Sequence, residues 1–182
     1  MGKCGKNWKS CLHLNQDQQE MTDLYQFAGE FECKLDSKGR VKLPTNLVRQ
    51  IAPDGISLNF TINRGFEKHL MLYPNAVWEK KTKEINQLNI YNTKQRQAIR
   101  YFYRGATKLM ADSADRILIP KNLIEYAGIQ KEVVLFAYHE QIEIWAKDRY
   151  EAVLDQEPED FSSLADEIFG GNQATGLRTD NE

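Results

Sequence analysis

Cysteine is scarce in this 182-residue chain and poorly spaced for a covalent or metal-bound framework. There are three, Cys4, Cys11 and Cys33. An odd count with no Cys-x-x-Cys pair argues against both a disulfide scaffold and a zinc ribbon. Cys4, Cys11 and His13 lack a fourth ligand, so ligand count argues against a metal there. Long apolar runs are missing as well. No stretch approaches the ~18 to 20 uninterrupted apolar residues that cross a bilayer, and the N-terminus lacks the apolar core of a secretory signal. No membrane partner is expected, and the cytoplasm is the expected compartment. Catalytic signatures are equally absent: there is no Gly-x-Ser-x-Gly, Walker loop, dinucleotide fingerprint or His-Glu-x-x-His. Of the three histidines, His13 falls in a polar N-terminal stretch, while His69 and His139 read as exposed positions beside strands. Nothing recommends an enzyme, a cofactor or a small-molecule substrate.

Net charge is also small, −2, but its distribution is uneven. Lys34, Lys38, Arg40, Lys42 and Arg49 face only Asp36, a local +4. Seven basic residues between Lys94 and Lys121 oppose Asp112 and Asp115, a local +5. From Asp148 to Glu182 ten acids meet Arg149 and Arg178, a local −8. Two basic islands and an acidic tail lie beneath the near-neutral sum.

Residues 1–22 are polar and without periodicity, and read as a disordered extension. Met21, just before the first patterned segment, is a candidate natural start. From Phe27 the chain alternates: Phe27, Gly29, Phe31, Cys33 and Leu35 share one face, as a half-buried strand requires. Asp36-Ser37-Lys38-Gly39-Arg40 interrupts with turn chemistry, and Val41 and Leu43 resume the parity. Pro44 and the residues after it predict a short helix burying Leu47, Val48 and Ile51. A strand through Ile56, Leu58, Phe60 and Ile62 follows, then a turn at Asn63-Arg64-Gly65 and a strand from Leu70 to Tyr73. Asn75 is expected to cap a helix carrying Trp78, Ile85 and Leu88, and Thr93 the next, which runs to about Arg104 with Ile99 and Phe102 inward. Those apolar sets read as core or inter-subunit packing. Arg96, Arg100 and Arg104 line one helical stripe, which reads as a solvated face or as ion pairs to a neighbouring subunit.

The pattern then returns. A shift of 76 positions superposes Gly29 on Gly105, Asp36 on Asp112, Ser37 on Ser113, Arg40 on Arg116, Pro44 on Pro120, Asn46 on Asn122 and Leu47 on Leu123. A shift of 72 brings Leu70, Leu72 and Tyr73 onto Ile142, Ile144 and Trp145. This is an internal duplication. One ~50-residue copy would struggle to bury a core alone, whereas two can pair their sheets into one closed body. The expected organisation is a first unit at 25–74, a helical linker at 75–100, a second unit at 101–147 and a C-terminal helix with an acidic tail at 148–182. That tail holds one amphipathic stretch, Phe161, Leu164, Ile168 and Phe169. The fold class is α+β and β-rich.

The duplicated Asp-x-x-x-Arg turn is the main chemical signal. Even positions point away from the apolar face, so Lys34, Lys38, Arg40 and Lys42 should project outward, around a loop that Gly39 lets turn. Such a cluster suits DNA phosphates, with a guanidinium able to reach a guanine edge. The plainer alternative is that Asp36 satisfies its own turn's amides and Arg40 pairs with a carboxylate.

Asp36-Ser37-Lys38-Gly39-Arg40 with Leu43-Pro44, repeated near Asp112, resembles the MraZ family. So do Leu72-Tyr73-Pro74 with Trp78, and Ile144-Trp145. The resemblance spans roughly Phe27 to Asp155. It implies two AbrB/SpoVT-type swapped-hairpin units forming a small barrel with peripheral helices. It also implies a nucleoid-associated regulator, expected to repress the division and cell-wall gene cluster as a ring-shaped homo-oligomer on promoter direct repeats in double-stranded DNA. On that resemblance Asp36, Gly39 and Asp112 shape the turns, Arg40 and Arg116 face DNA, and Lys34, Lys38 and Lys42 hold phosphates. The second copy departs from the pattern: Asp115 stands at the Gly39 position and Ala114 at the Lys38 position. An acid there repels phosphate and is a candidate partner for Arg116, so the first copy is weighted as the principal contact. Two rivals stand beside this reading: an antitoxin-like protein-interaction module, and an enzyme on a related small barrel.

Overall fold

The computed structural model describes residues 25–53 and 58–155. Of these, the residues through Lys147 form one compact unit and those from Asp148 to Asp155 belong to a second. The first unit contains β1 (Phe27–Lys34), β2 (Arg40–Lys42), α1 (Thr45–Ile51), β3 (Asn59–Arg64), β4 (Leu70–Pro74), α2 (Asn75–Ile85), α3 (Thr93–Phe102), β5 (Thr107–Met110), β6 (Arg116–Leu118), α4 (Lys121–Ala127), β7 (Glu132–His139) and β8 (Gln141–Ala146). The second contributes helix α5 (Lys147–Leu154), which begins at the boundary. The fold is α+β, dominated by antiparallel strands.

The order β1-β2-α1-β3-β4 recurs as β5-β6-α4-β7-β8, and the two halves exchange strands. β1 pairs with β7 from the second half, and β5 pairs with β3 from the first. With the hairpins β3–β4 and β7–β8 meeting through β4 and β8, the sheet runs β1-β7-β8-β4-β3-β5. The two short strands β2 and β6 pair only with each other, Val41 opposite Ile117. Each half therefore depends on the other for its ladder hydrogen bonds, as buried backbone groups demand.

The closed barrel expected from the sequence is not what forms. Among the described residues the sheet ends at β1 on one side and at β5 on the other, and these strands do not pair. The cause is local: after β1 and β5 the Asp-x-x-x-Arg turns redirect the chain, so the following strands leave the sheet and build a separate ribbon.

The inward parity of β1 and β2 holds, with Phe27, Val41 and Leu43 buried and Glu30, Glu32, Lys34 and Lys42 exposed. Val41, Leu43, Leu47, Phe60, Ile62, Ile117, Ile119, Leu123, Val133, Leu135, Ile142 and Ile144 form the main core. A smaller cluster joins Met71, Tyr73, Val77 and Trp78, with Trp78 stacked on Phe102 at 5.1 Å.

Several local expectations are corrected. Asn63 and Arg64 belong to β3 and the turn begins at Gly65, because Asn63 is buried and donates Nδ2 to the Phe102 carbonyl. Asn75 is the first residue of α2 and not its cap; its Oδ1 accepts the Thr61 hydroxyl instead. The cap of α3 is Asn92, whose side chain accepts from the amides of Lys94 and Gln95, one residue before the expected Thr93. His69 is 5% exposed, stacked on Trp145 at 4.3 Å, whereas His139 is exposed as expected. Arg96 turns back to donate to the Ile90 carbonyl, while Arg100 and Arg104 remain exposed. The N-terminal extension, Cys4, Cys11, His13, Ile56 and the Phe161–Phe169 stretch lie outside the described residues.

Candidate nucleic-acid interface

The two turns are built alike. In the first, Asp36 Oδ1 accepts from the amides of Lys38 and Arg40, both at 2.9 Å. The backbone closes through Asp36 N to the Arg40 carbonyl at 2.8 Å and Gly39 N to the Asp36 carbonyl at 3.0 Å. Arg40 then grips the other carboxylate oxygen, Nε at 2.8 Å and Nη2 at 2.7 Å. The second turn repeats every contact. Asp112 Oδ1 accepts from Ala114 N and Arg116 N at 2.9 and 3.1 Å, and Oδ2 takes Nε and Nη2 of Arg116, both at 2.8 Å. One aspartate thus ties two amides and one guanidinium, and this is why the Asp-x-x-x-Arg spacing recurs.

Such charge-assisted donors stabilise the ionised carboxyl. The Arg40 backbone amide is the main cause of the lowering of Asp36, followed by its side chain. The Arg116 side chain holds Asp112 down to about 2. The same pairing raises Arg116 above its ordinary value.

The ribbon of β2 and β6 sets the turns side by side, with Lys42 opposite Arg116 and Arg40 opposite Leu118. Arg40 Nη1 lies 4.0 Å from Asp112 Oδ2, so the first guanidinium faces both aspartates. Around this ribbon Lys34, Lys38 and Lys42 are exposed, and among the described residues none of the three meets a carboxylate. Arg40 is only 26% exposed, with two of its donors engaged in its own turn. The plainer alternative for Arg40 describes the unbound geometry: it braces the turn and leaves the lysines as the open cations. Asp115 does not pair with Arg116, which is held by Asp112.

Gly39 adopts φ +78°, the left-handed region that glycine enters without strain. A Cβ there would lie 3.2 Å from Ile124 Cδ1 and 3.5 Å from the Ile119 carbonyl. The turn therefore rests directly on α4, and between them opens a cavity of about 540 Å³ bordered by Lys38 and Lys121.

Sequence reasoning passed over Tyr126, Lys68 and the guanidinium of Arg64, which meet at the far flank of α4. Tyr126 donates its hydroxyl to the Gly65 carbonyl at 3.0 Å, and its ring carries Arg64 at 4.4 Å and Lys68 at 4.7 Å. The available signal was a tyrosine where the repeat has Gln50. Among the described residues no cluster of histidine, cysteine and carboxylates could hold a metal, and no helix is long and apolar enough to cross a membrane.

Comparison with known proteins follows the duplication. A family model described as "MraZ protein, putative antitoxin-like" matches twice, at residues 26–101 and 102–171. A protein named transcriptional regulator MraZ from Christiangramia forsetii is 40% identical over 153 residues, covering 82% of this chain and 96% of its own. One of the same name from Flavobacterium psychrophilum is 39% identical, covering 78% and 90%. Another, from Cytophaga hutchinsonii, is 33% identical, covering 79% and 94%.

Proposed function

This chain belongs to the MraZ family, and from that premise we propose that it is a DNA-binding transcriptional regulator. It represses the division and cell-wall gene cluster by meeting promoter direct repeats as a ring-shaped homo-oligomer, and it works at the nucleoid. The family is one of regulators and not of enzymes. The observation that carries the reading is the pairing of the two Asp-x-x-x-Arg turns on one antiparallel ribbon, edged by the open cations Lys34, Lys38 and Lys42.

A two-stranded ribbon fits the major groove, and lysines at its rim suit phosphates on either side. Lys34, Lys38 and Lys42 hold the backbone. Arg40 keeps the loop rigid through Asp36 and offers its remaining donors to a base edge, with Arg116 in the lesser role beside Asp115. The exchange of strands between halves supports reading each half as an AbrB/SpoVT-type swapped-hairpin unit. One such site binds weakly; several on a ring reach repeated sites together, which raises affinity by ~10² to 10⁴ when the geometry matches.

The family's description as antitoxin-like favours one alternative, a module that binds a protein partner. Fluorescence anisotropy separates the two, using the full chain, DNA from upstream of its own gene and the same DNA with scrambled repeats. Tight, repeat-dependent binding that Arg40→Ala abolishes is the expected result, with Arg40→Lys intermediate because it keeps charge but loses the bidentate fork. Equal, weak binding of both DNAs by all variants would overturn the reading and favour the protein-binding module.

A further inference from the structure

Helix α4 is held between two loops. On one flank Ile124 touches the first Asp-x-x-x-Arg turn, and on the other Tyr126 receives Gly65, Arg64 and Lys68 from the β3–β4 turn. Residues two apart on a helix lie some 200° apart around its axis, so Ile124 and Tyr126 flank the buried Leu123 and Ala127 on opposite sides. The open face between them presents Lys121, Asn122 and Glu125, all exposed. Lys38, Lys121, Lys68 and Arg64 therefore run in sequence from one turn, across the helix, to the other turn. Among the described residues none of the four meets a carboxylate, and Arg64 Nε is buried with no partner there. Two cations seated on one tyrosine ring, neither of them ion-paired among the described residues, leave a site that calls for an anion.

The duplication supplies an internal control. Around α1, the counterpart of α4, Ala114 takes the place of Lys38, Thr45 of Lys121 and Gln50 of Tyr126. Gln50 is engaged with the Ala28 backbone. In the ladder Ala137 pairs with Ile142 as Arg64 pairs with Leu70, so Arg64 has no basic counterpart. Counting back from the fourth strand, Glu140 stands where Lys68 does, and it pairs with Lys80 at 3.5 Å. The frame is shared, but the four cations occur on one side only. The opposing charges are Arg49 on α1, at the position of Glu125, and Glu67 beside Lys68.

We propose that the side of α4 from Lys38 through Lys121 to Lys68 and Arg64 is a phosphate track, along which the backbone of bound double-stranded DNA leaves the first turn and crosses the helix. This rests on the reading that the first turn holds DNA. It adds a second contact region outside the Asp-x-x-x-Arg turns, and it gives the DNA a direction on the protein.

The test is the salt dependence of DNA binding by the full chain, in anisotropy titrations on promoter and scrambled DNA. Lys68→Gln and Lys121→Gln should each make the slope of log K against log salt shallower by about 0.9 for every protomer engaged, one released counterion per lost phosphate contact. They should weaken both DNAs equally, as backbone contacts do. Glu125→Gln should strengthen binding of both, a gain that a damaged fold cannot produce. Arg49→Gln on the control side should leave slope and affinity unchanged. If Lys38→Gln weakens binding while Lys68→Gln, Lys121→Gln and Glu125→Gln leave the slope untouched, the track is wrong and the first-turn contact stands. If the wild-type chain binds neither DNA, both fall.

Discussion

The first and second Asp-x-x-x-Arg turns have one geometry and two chemistries. Aspartate, arginine and backbone bonds agree between them to within a few tenths of an ångström. The residue in the left-handed position differs: Gly39 at φ +78° in one, Asp115 at φ +58° in the other. So does the residue before it, Lys38 in one and Ala114 in the other. Duplication preserved what the fold needs, a carboxylate that ties the turn, and let the outward charge diverge. A motif match alone would treat the copies as equivalent; the residues inside the motif set them apart in charge.

The shared part is the more costly to disturb. Leu43 and Ile119 are duplicates at the far ends of the paired strands, 0% and 2% exposed. Replacing either with alanine should destabilise the chain by about 2–5 kcal/mol through lost transfer energy and a cavity. Urea unfolding should show the two costs within about 1 kcal/mol of each other. A large loss for one and little for the other would mean the halves are not interchangeable in the core.

The divergent part should answer in binding. Gly39→Asp imports the second copy's residue into the first, placing an acid beside Lys38 and crowding Ile124. DNA affinity should fall about tenfold or more, roughly 1.4 kcal/mol, with the fold retained because the second turn already accepts aspartate. The reciprocal Asp115→Gly should have a smaller effect. It removes a left-handed strain of about 1–2 kcal/mol for an ordinary residue, offset by about 0.5–1 kcal/mol of glycine entropy. A net stabilisation below about 1 kcal/mol in thermal unfolding is expected, with a modest gain in DNA affinity. Weaker binding by Asp115→Gly would show that the acid contributes to recognition rather than opposing it.

Much of this frame was legible in the sequence, and the reason is periodicity. The alternation from Phe27 to Leu43 reports which face is inward, and Asp, Gly and Arg at fixed offsets report a turn. Periodicity does not report partners, so the pairing of β1 with β7 and of β5 with β3 was out of reach, and a closed barrel was expected in place of an open sheet with a ribbon. Side-chain competition was equally hidden. Asn75 has a capping residue's chemistry, yet Thr61, fourteen positions away, takes its oxygen. His69 sits in a polar turn, yet Trp145 of the other half covers it. In the candidate site, the cations were legible as a cluster and the aspartates as turn formers. The grip of Arg40 on Asp36 stood as the plainer of two readings, and only geometry shows how many of its donors remain.

The smallest effect tests whether both turns are tied in solution. Each aspartate is held below its ordinary value of 3.8, Asp112 down to about 2. A carboxyl lowered by folding contributes stability that is fully present above the unfolded value and is lost as pH falls through the folded one. Between neutrality and about pH 5 both turns should therefore be indifferent to pH, and their contribution should fade only as pH drops from about 4 towards 2. Carbon-13 titration of the aspartate carboxyls should place the Asp112 midpoint near 2 and that of Asp36 below 3.8. In Arg116→Gln the Asp112 midpoint should rise towards 3.8 while Asp36 stays low, because each guanidinium serves chiefly its own turn. A midpoint of 3.8 for Asp112 in the unaltered chain would mean that the clamp does not hold in water. The second turn would then differ from the first in rigidity as well as in charge.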